Sequence, residues 1–442
     1  MGPVKRSAAK PKVLIIVQNL PLPFDRRVWL ECQALHQAGY QVSAVCPKAD
    51  GDPTYEVLEG ISLYRYKPYA PGGSAAGFVG EYAYSFAATA RMVARARRRE
   101  GPFDVVQACN PPDIFWPIGR ALRRMDGTRF VFDHHDLCPE LYDSRFPERS
   151  RLPRRGLVAL ERATFHAADH VISTNESYAA VAAERGGVTP DRSSIVRTGP
   201  DPERLRRGAP VPERLRGRRH LVAYIGVMGP QDGVDVAVRA AGHVVHDFGR
   251  RDISFTFMGG GDSYDELVAL RDELGLGDYV ELPGRVPDST VTEVLSTADL
   301  GLSADPSNPL NDVSTMNKTM EYMAYSVPVL AFDLKETKVS AGEAAYYVTE
   351  QSPMAYAEAM VELLDDPARR ATMAGIGRRR VEEVLGWPHQ QSTYVSVYDR
   401  LVGRDGSPSG TGTTGVQPPR SVPEPGDGPT NTTERPSATT PR

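Results

Sequence analysis

The chain has 442 residues, of which 52 are Lys or Arg and 56 are Asp or Glu, for a formal net charge of −4. At roughly 150 residues per domain this length holds two to three domains, each able to bury a core, and so even a balance gives no global drive toward nucleic acid or acidic lipid. Four widely spread cysteines (Cys32, Cys46, Cys109, Cys138) with no CxxC pair argue against a disulfide framework or structural zinc and for a reducing compartment.

Residues 1–11 read as a short disordered arm. Its basic residues are followed by the apolar run Val13–Val17, too short for a signal peptide or a membrane span, so a cytoplasmic protein is expected. From residue 12 to 200, apolar strand-like runs alternate with helical ones. Strands are expected at Val13–Val17, Gln41–Cys46, Ile61–Tyr66, Val105–Ala108, Phe130–Phe132 and His170–Thr174, and helices at Arg27–Ala38, Gly80–Arg98, Phe115–Arg123 and Arg155–Ala167. A Pro-, Arg- and Gly-rich linker covers 201–218. The second series, 219–386, has strands at Leu221–Ile225, Ser254–Met258, Tyr279–Leu282, Leu300–Ser303, Val327–Phe332 and Ala345–Val348. Its helices are expected at Val234–Val245, Tyr264–Leu274, Thr290–Ser296, Asn317–Ala324, Met354–Leu364 and Pro367–Val384. A last helix covers 387–403, and 404–442, with almost no aliphatic residues, reads as a disordered tail.

Continuous apolar strands separated by helices indicate parallel sheets covered on both faces. The expected fold is therefore α/β, with two doubly wound domains facing a cleft and ligands at the C-terminal strand ends. A nucleotide-sugar transferase, a sugar-nucleotide epimerase and a periplasmic-type binding protein all fit that frame, the last disfavoured by the lack of a signal-peptide pattern.

Three stretches carry candidate chemistry. In Asn317-Lys318-Thr319-Met320-Glu321 a polar loop runs into a helix whose N-terminus favours phosphate. Lys318 opposes the helix dipole there, so a nearby anion would explain it, and Glu321 one turn on suits hydroxyl groups; the competing reading is a solvated Lys–Glu pair. In Phe130-Val131-Phe132-Asp133-His134-His135-Asp136 a strand delivers two histidines and an aspartate to a turn. Adjacent histidines on a strand point to opposite faces, which disfavours a metal, and a His–Asp pair capping the turn is the competing reading. In the loop 18–27, Asp25 reads as a helix N-cap with Arg26 and Arg27 in the first turn; an anionic ligand and a surface salt bridge are the alternatives. Asn110 closes a neighbouring strand as a cleft-lining candidate. The helix Gly80–Arg98 aligns Arg91, Arg95 and Arg98, with Phe78, Tyr82 and Phe86 on a second stripe, either to complement the macrodipole or to dock on anionic lipid.

The run Asn317-Lys318-x-x-Glu321-Tyr322-Met323-Ala324 followed by Val327-Pro328-Val329 resembles the donor-site helix of glycosyltransferase family 4, of the type that builds bacterial polysaccharides. Phe257-Met258-Gly259-Gly260-Gly261, Leu282-Pro283-Gly284-Arg285-Val286, Thr198-Gly199-Pro200-Asp201 and Trp387 resemble further family landmarks, and the match extends to about Leu401. The resemblance implies a GT-B fold of two facing Rossmann-like domains, with a C-terminal helix returning to the first. It implies sugar transfer from a nucleotide-diphosphate donor to a glycan or lipid-linked acceptor, with retention of anomeric configuration. Neither a metal nor a cofactor is implied, and nucleic acid is not an expected partner; an anionic membrane at the inner face of the plasma membrane is. In that scheme His135 and Glu321 act in catalysis. Asn317, Lys318, Arg285, Gly260, Gly261, Arg26 and Arg27 face the donor, and Asn110 and Asp136 the acceptor. Three positions depart from the family pattern: Val313 stands where a glutamate is usual, and Val227 and Asp232 replace an Arg and a Lys that hold the diphosphate.

Overall fold

The computed structural model describes residues 10–69, 75–145 and 151–404; the expected tail from 405 onward and nearly all of the expected arm lie outside the described residues. Two sheets form among them. The first contains β1 (Lys12–Ile16), β2 (Gln41–Pro47), β3 (Tyr55–Leu58), β4 (Ile61–Tyr66), β5 (Val105–Cys109), β6 (Arg129–His134), β7 (His170–Ser173) and β8 (Ser193–Ile195). Their order is β3-β4-β2-β1-β5-β6-β7-β8, parallel throughout except for the β3–β4 hairpin. The second contains β9 (His220–Val227), β10 (Ile253–Gly260), β11 (Val280–Gly284), β12 (Leu300–Ser303), β13 (Val329–Phe332) and β14 (Ala345–Val348). It is wholly parallel, in the order β11-β10-β9-β12-β13-β14.

Every strand expected from the apolar runs is present, because a strand buried on both faces must be apolar at consecutive positions. Helices cover both faces of each sheet and form separate apolar clusters on either side. This is the doubly wound, Rossmann-like architecture in duplicate.

In each sheet the strand order reverses once, between β1 and β5 and between β9 and β12. Diverging connections leave a crevice at such a point, beyond the carboxyl ends of the strands. The connections that emerge there are the loop before the helix Arg26–Gln37, the loop after β9 and the long segment from β12 to the helix Asn317–Ala324.

The two halves are joined twice. At the hinge the Trp387 backbone N–H donates to the Pro200 carbonyl at 2.9 Å. Gly199 packs so closely there that a Cβ would lie 1.9 Å from the Leu385 carbonyl oxygen. Beyond it the helix Trp387–Leu401 returns to the first half, burying Trp387, Tyr394, Val397 and Tyr398 in the core beneath β1 and β2. Both tyrosine hydroxyls donate to Gln107 Oε1 on β5. Segment 201–218 is not a free tether: Leu205 and Leu215 pack on the second core, and Arg207 donates to the carbonyls of Ser296, Ala298 and Ser326.

Candidate functional site

The helix Asn317–Ala324 begins at Met316, which offers no side-chain cap. Its first N–H groups therefore lack the side-chain acceptor that most helices supply. Asn317 is exposed at this end and Lys318 is buried. The Lys318 ammonium donates to Asp305 at 2.6 Å, lies 3.9 Å from Asp232 and sits 5.1 Å from the centre of the Tyr224 ring. Burial alone would lower its pKa, but Asp305, Tyr224 and Asp232 outweigh that and hold it well above the ordinary value. The anion that Lys318 calls for is thus the protein's own Asp305.

One turn on, Glu321 faces the cleft. Burial pushes its carboxyl above the usual range, although Arg26 from the opposite half works the other way. Arg26 lies 3.4 Å from Glu321 and 2.7 Å from Asp288.

Glycines bring the neighbouring backbone close. Gly233 adopts φ +62°, and a Cβ there would meet the Ala304 carbonyl oxygen at 2.0 Å, so only glycine lets the loop after β9 lie against the segment after β12. Gly226 lies beside the Lys318 stem, and Gly260 beside the Arg285 stem, each close enough that an added Cβ would touch the side chain. Gly261 abuts the Met228 carbonyl. Arg285 is exposed, with its guanidinium 5.7 Å from the Phe24 ring of the opposite half. The crevice thus gathers Gly226, Gly260, Gly261, Arg285, Lys318 and Glu321.

On the other side β6 runs further than expected, through His134, and this separates the two histidines. His134 is fully buried against Phe132, Phe165 and Tyr178, with neither ring nitrogen hydrogen-bonded. Burial, then the neighbouring His135, pulls its pKa down to about 3, so it is neutral. His135 is partly exposed just beyond the strand, with Nδ1 3.9 Å from Asp133. Asn110, at the end of β5, shapes this turn. Its Oδ1 accepts the N–H groups of His135 and Asp136 at 2.8 and 3.1 Å, and its Nδ2 donates to the Asp136 carbonyl at 2.6 Å. Asn110 itself is buried, so it holds the turn rather than lining the cleft. Two residues past His135, Leu137 packs on Leu310 of the opposite half.

Arg27 corrects the sequence reading. It does not face a donor but lies in the core, paired with Asp133 at 2.7 Å and Glu31 at 3.1 Å, and donates also to the Val196 carbonyl and Thr198. The reason is helical phase: residue 26 points across the cleft while 27 turns under the sheet toward Glu31 one turn on. Glu31, Cys109 and Asp133 bring three ligand-type atoms within 4.8 Å of one another. Arg27 already supplies the positive charge in that cluster. Burial, then Asp133, pushes Glu31 well up, and Arg27 overcomes burial to keep Asp133 low.

Comparisons with known proteins bear on this arrangement. Residues 25–204 match the model described as Glycosyltransferase Family 4, and residues 219–366 match Glycosyl transferases group 1. Together they span most of the chain. The chain belongs to glycosyltransferase family 4. It is 26% identical over 368 residues to a D-inositol 3-phosphate glycosyltransferase of Catenulispora acidiphila, covering 78% of this chain and 82% of the relative. Among solved structures, a sucrose-phosphate synthase of Thermosynechococcus elongatus superposes with a TM-score of 0.72 at 18% identity, over 89% of this chain and all of that one. The Anabaena protein HepE in complex with UDP-glucose superposes at 0.65 and 15% identity, over 88% and 99%. The fold is GT-B.

For a family-4 chain, the departures have structural counterparts. Val227 is exposed at the last position of β9. Asp232 accepts from the Gly229 N–H at 2.9 Å and stands near Lys318. Val313 packs with Leu137, Leu141, Tyr178, Val181 and Leu310 at the junction of the halves. Sequence reasoning missed Asp305, Asp288, Asn175 and Tyr178. Asp305 and Asp288 carry no local signal, whereas Asn175 followed by Glu176 is a recognisable helix start. Among the described residues no helix is long and apolar enough to cross a membrane.

Proposed function

We propose that this family-4 enzyme transfers a sugar from a nucleotide-diphosphate donor to a glycan or lipid-linked acceptor, with retention of configuration and without a metal ion or cofactor. The observation that carries the reading is the convergence of Glu321, an uncapped helix N-terminus and Arg285 on the crevice where the strand order of the second sheet reverses. The diphosphate takes the helix N-terminus and Arg285; Glu321, freed from Arg26, accepts from ribose or sugar hydroxyls; His135 lines the acceptor side. Catalysis is then electrostatic, with donors fixed in advance around the leaving diphosphate and the acceptor hydroxyl held close.

An acceptor anchored in a membrane fits the exposed Arg91, Arg95 and Arg98 on the helix Ala75–Glu100. Arg97 does not join that face, since it pairs with Asp126 at 2.6 Å. Phe78 lies among residues whose side chains are not described. Peripheral attachment at the cytoplasmic face of the membrane is part of the same proposal.

Purified protein should be incubated with a panel of nucleotide sugars and a membrane lipid extract, with free nucleotide assayed and the product anomer read by NMR. Acceptor-dependent release with a retained anomer is expected; conversion to an epimeric sugar would contradict the proposal. A second reading, a nucleotide-sugar-binding partner without turnover, is favoured by the carboxylates already paired with Lys318 and Arg26. Binding without release in the same assay would select it.

A further inference from the structure

The segment that delivers the donor-site helix is held from the opposite half of the molecule. At the end of β7, Asn175 caps the helix Glu176–Gly186, its Oδ1 accepting the Tyr178 N–H at 2.7 Å. The Nδ2 of the same side chain crosses to the other half and donates to the Val313 carbonyl and to Thr315 Oγ1, both at 2.9 Å. Tyr178 adds a contact between its hydroxyl and Ser314 Oγ at 2.9 Å. Its ring joins Leu137, Leu310 and Val313 in the small apolar cluster at the junction. Asn175 is completely buried and Tyr178 nearly so.

This anchored segment is short and leads directly into the site. A 3₁₀ turn at Asn311–Val313 is followed within four residues by the helix N-terminus at Asn317. From the turn, Asn311 Nδ2 donates to the Gln231 carbonyl at 2.9 Å, linking the segment to the loop after β9. Met316 supplies no cap, so the helix N-terminus is held by Lys318 on Asp305 from within its own half and by the segment that leads into it.

We propose that Asn175 and Tyr178 are positioning residues for sugar transfer. From the acceptor-side half they set the segment 310–316, and through it the donor-side helix N-terminus. This rests on the transferase reading. The chemistry at 175 is specific to an amide: the cap needs an acceptor and the Val313 carbonyl needs a donor, and Asn supplies both from one side chain. Aspartate keeps the shape and the cap, loses the donor and sets an acceptor against the Val313 carbonyl. Phenylalanine at 178 keeps the ring and loses only the hydroxyl.

The test compares wild type, Asn175→Asp and Tyr178→Phe. Hydrogen exchange, measured without substrate, should accelerate about tenfold at the amides of residues 312–314 in Asn175→Asp, as expected when roughly one hydrogen bond's worth of protection is lost. Amides of β9 and β10 should be unchanged. In turnover, kcat should fall about tenfold in Asn175→Asp while donor KM shifts little, because positioning is lost and ground-state binding kept. Tyr178→Phe combined with Ser314→Ala should cost no more than either change alone. Unchanged exchange at 312–314, or accelerated exchange with wild-type kcat, would overturn the proposal. A wild-type protein that turns over no donor would overturn the transferase reading instead, since the exchange comparison does not involve turnover.

Discussion

Among the contacts that cross the cleft in the described residues, two are built from opposite materials. At one, Arg26 reaches Asp288 and Glu321 through side chains 45%, 62% and 21% exposed. At the other, Tyr178 and Leu137 meet Leu310 in a small apolar cluster beside the Asn175 amide. Exposed ion pairs contribute little and weaken with salt, whereas buried apolar contact and satisfied amides contribute more and are insensitive to it. The difference assigns separate tasks. On the proposed function, the charged junction is the one a donor would displace to reach Glu321, while the apolar junction would stay closed.

The largest effect expected from this contrast concerns buried charge. Lys318→Met leaves Asp305, which is 1% exposed, without its partner in the core, at a cost of about 3–5 kcal/mol of stability. Adding Asp305→Asn should recover most of it, as read by denaturant unfolding; failure to recover would mean that Lys318 matters for packing rather than charge. Next, Leu310→Ala should cost about 2–3 kcal/mol by opening the apolar junction, with no dependence on salt. At the charged junction, Arg26→Ala should cost less than about 1 kcal/mol, and that cost should vanish in high salt.

Between these lies a pH effect from the core next to the apolar junction. His134 titrates near 3 when folded but near its ordinary value when unfolded. Below about pH 6.5 the unfolded chain therefore binds the extra proton, and stability falls as the pH drops, by about 1.4 kcal/mol per unit until the folded pKa is reached. Asp113, raised to about 7 by burial, acts with the opposite sign, stabilising the fold on the acid side. The difference between wild type and His134→Phe isolates the histidine. The variant should lose the acid dependence due to position 134, and equal slopes would contradict the burial argument.

How much of this was legible in the letters follows from where each partner sits. The major strands were readable because burial on both faces writes itself as consecutive apolar residues. β3 was missed because its pattern is that of a half-exposed hairpin edge, and β8 because Ser193-Ser194-Ile195 is short and polar. Asp25 was readable as a cap because the cap contact is three residues long. The fates of Arg26, Arg27 and Lys318 were not. Sequence shows a cation opposing a helix dipole and so demands an anion, but Asp133 and Asp305 arrive from strand ends and Asp288 from a helix start, which only the folded chain brings near. Demand for an anion was legible; whether ligand or protein meets it was not.

On the proposed function Glu321 serves turnover, and Glu321→Gln is the substitution that isolates its charge. The substitution keeps the size and removes the charge that strengthens hydrogen bonds to hydroxyls, about 1.5–3 kcal/mol for such a bond. Acceptor-dependent nucleotide release should therefore drop by roughly 10- to 150-fold, with the thermal midpoint close to that of wild type. Turnover within twofold of wild type in a folded Glu321→Gln protein would contradict the account.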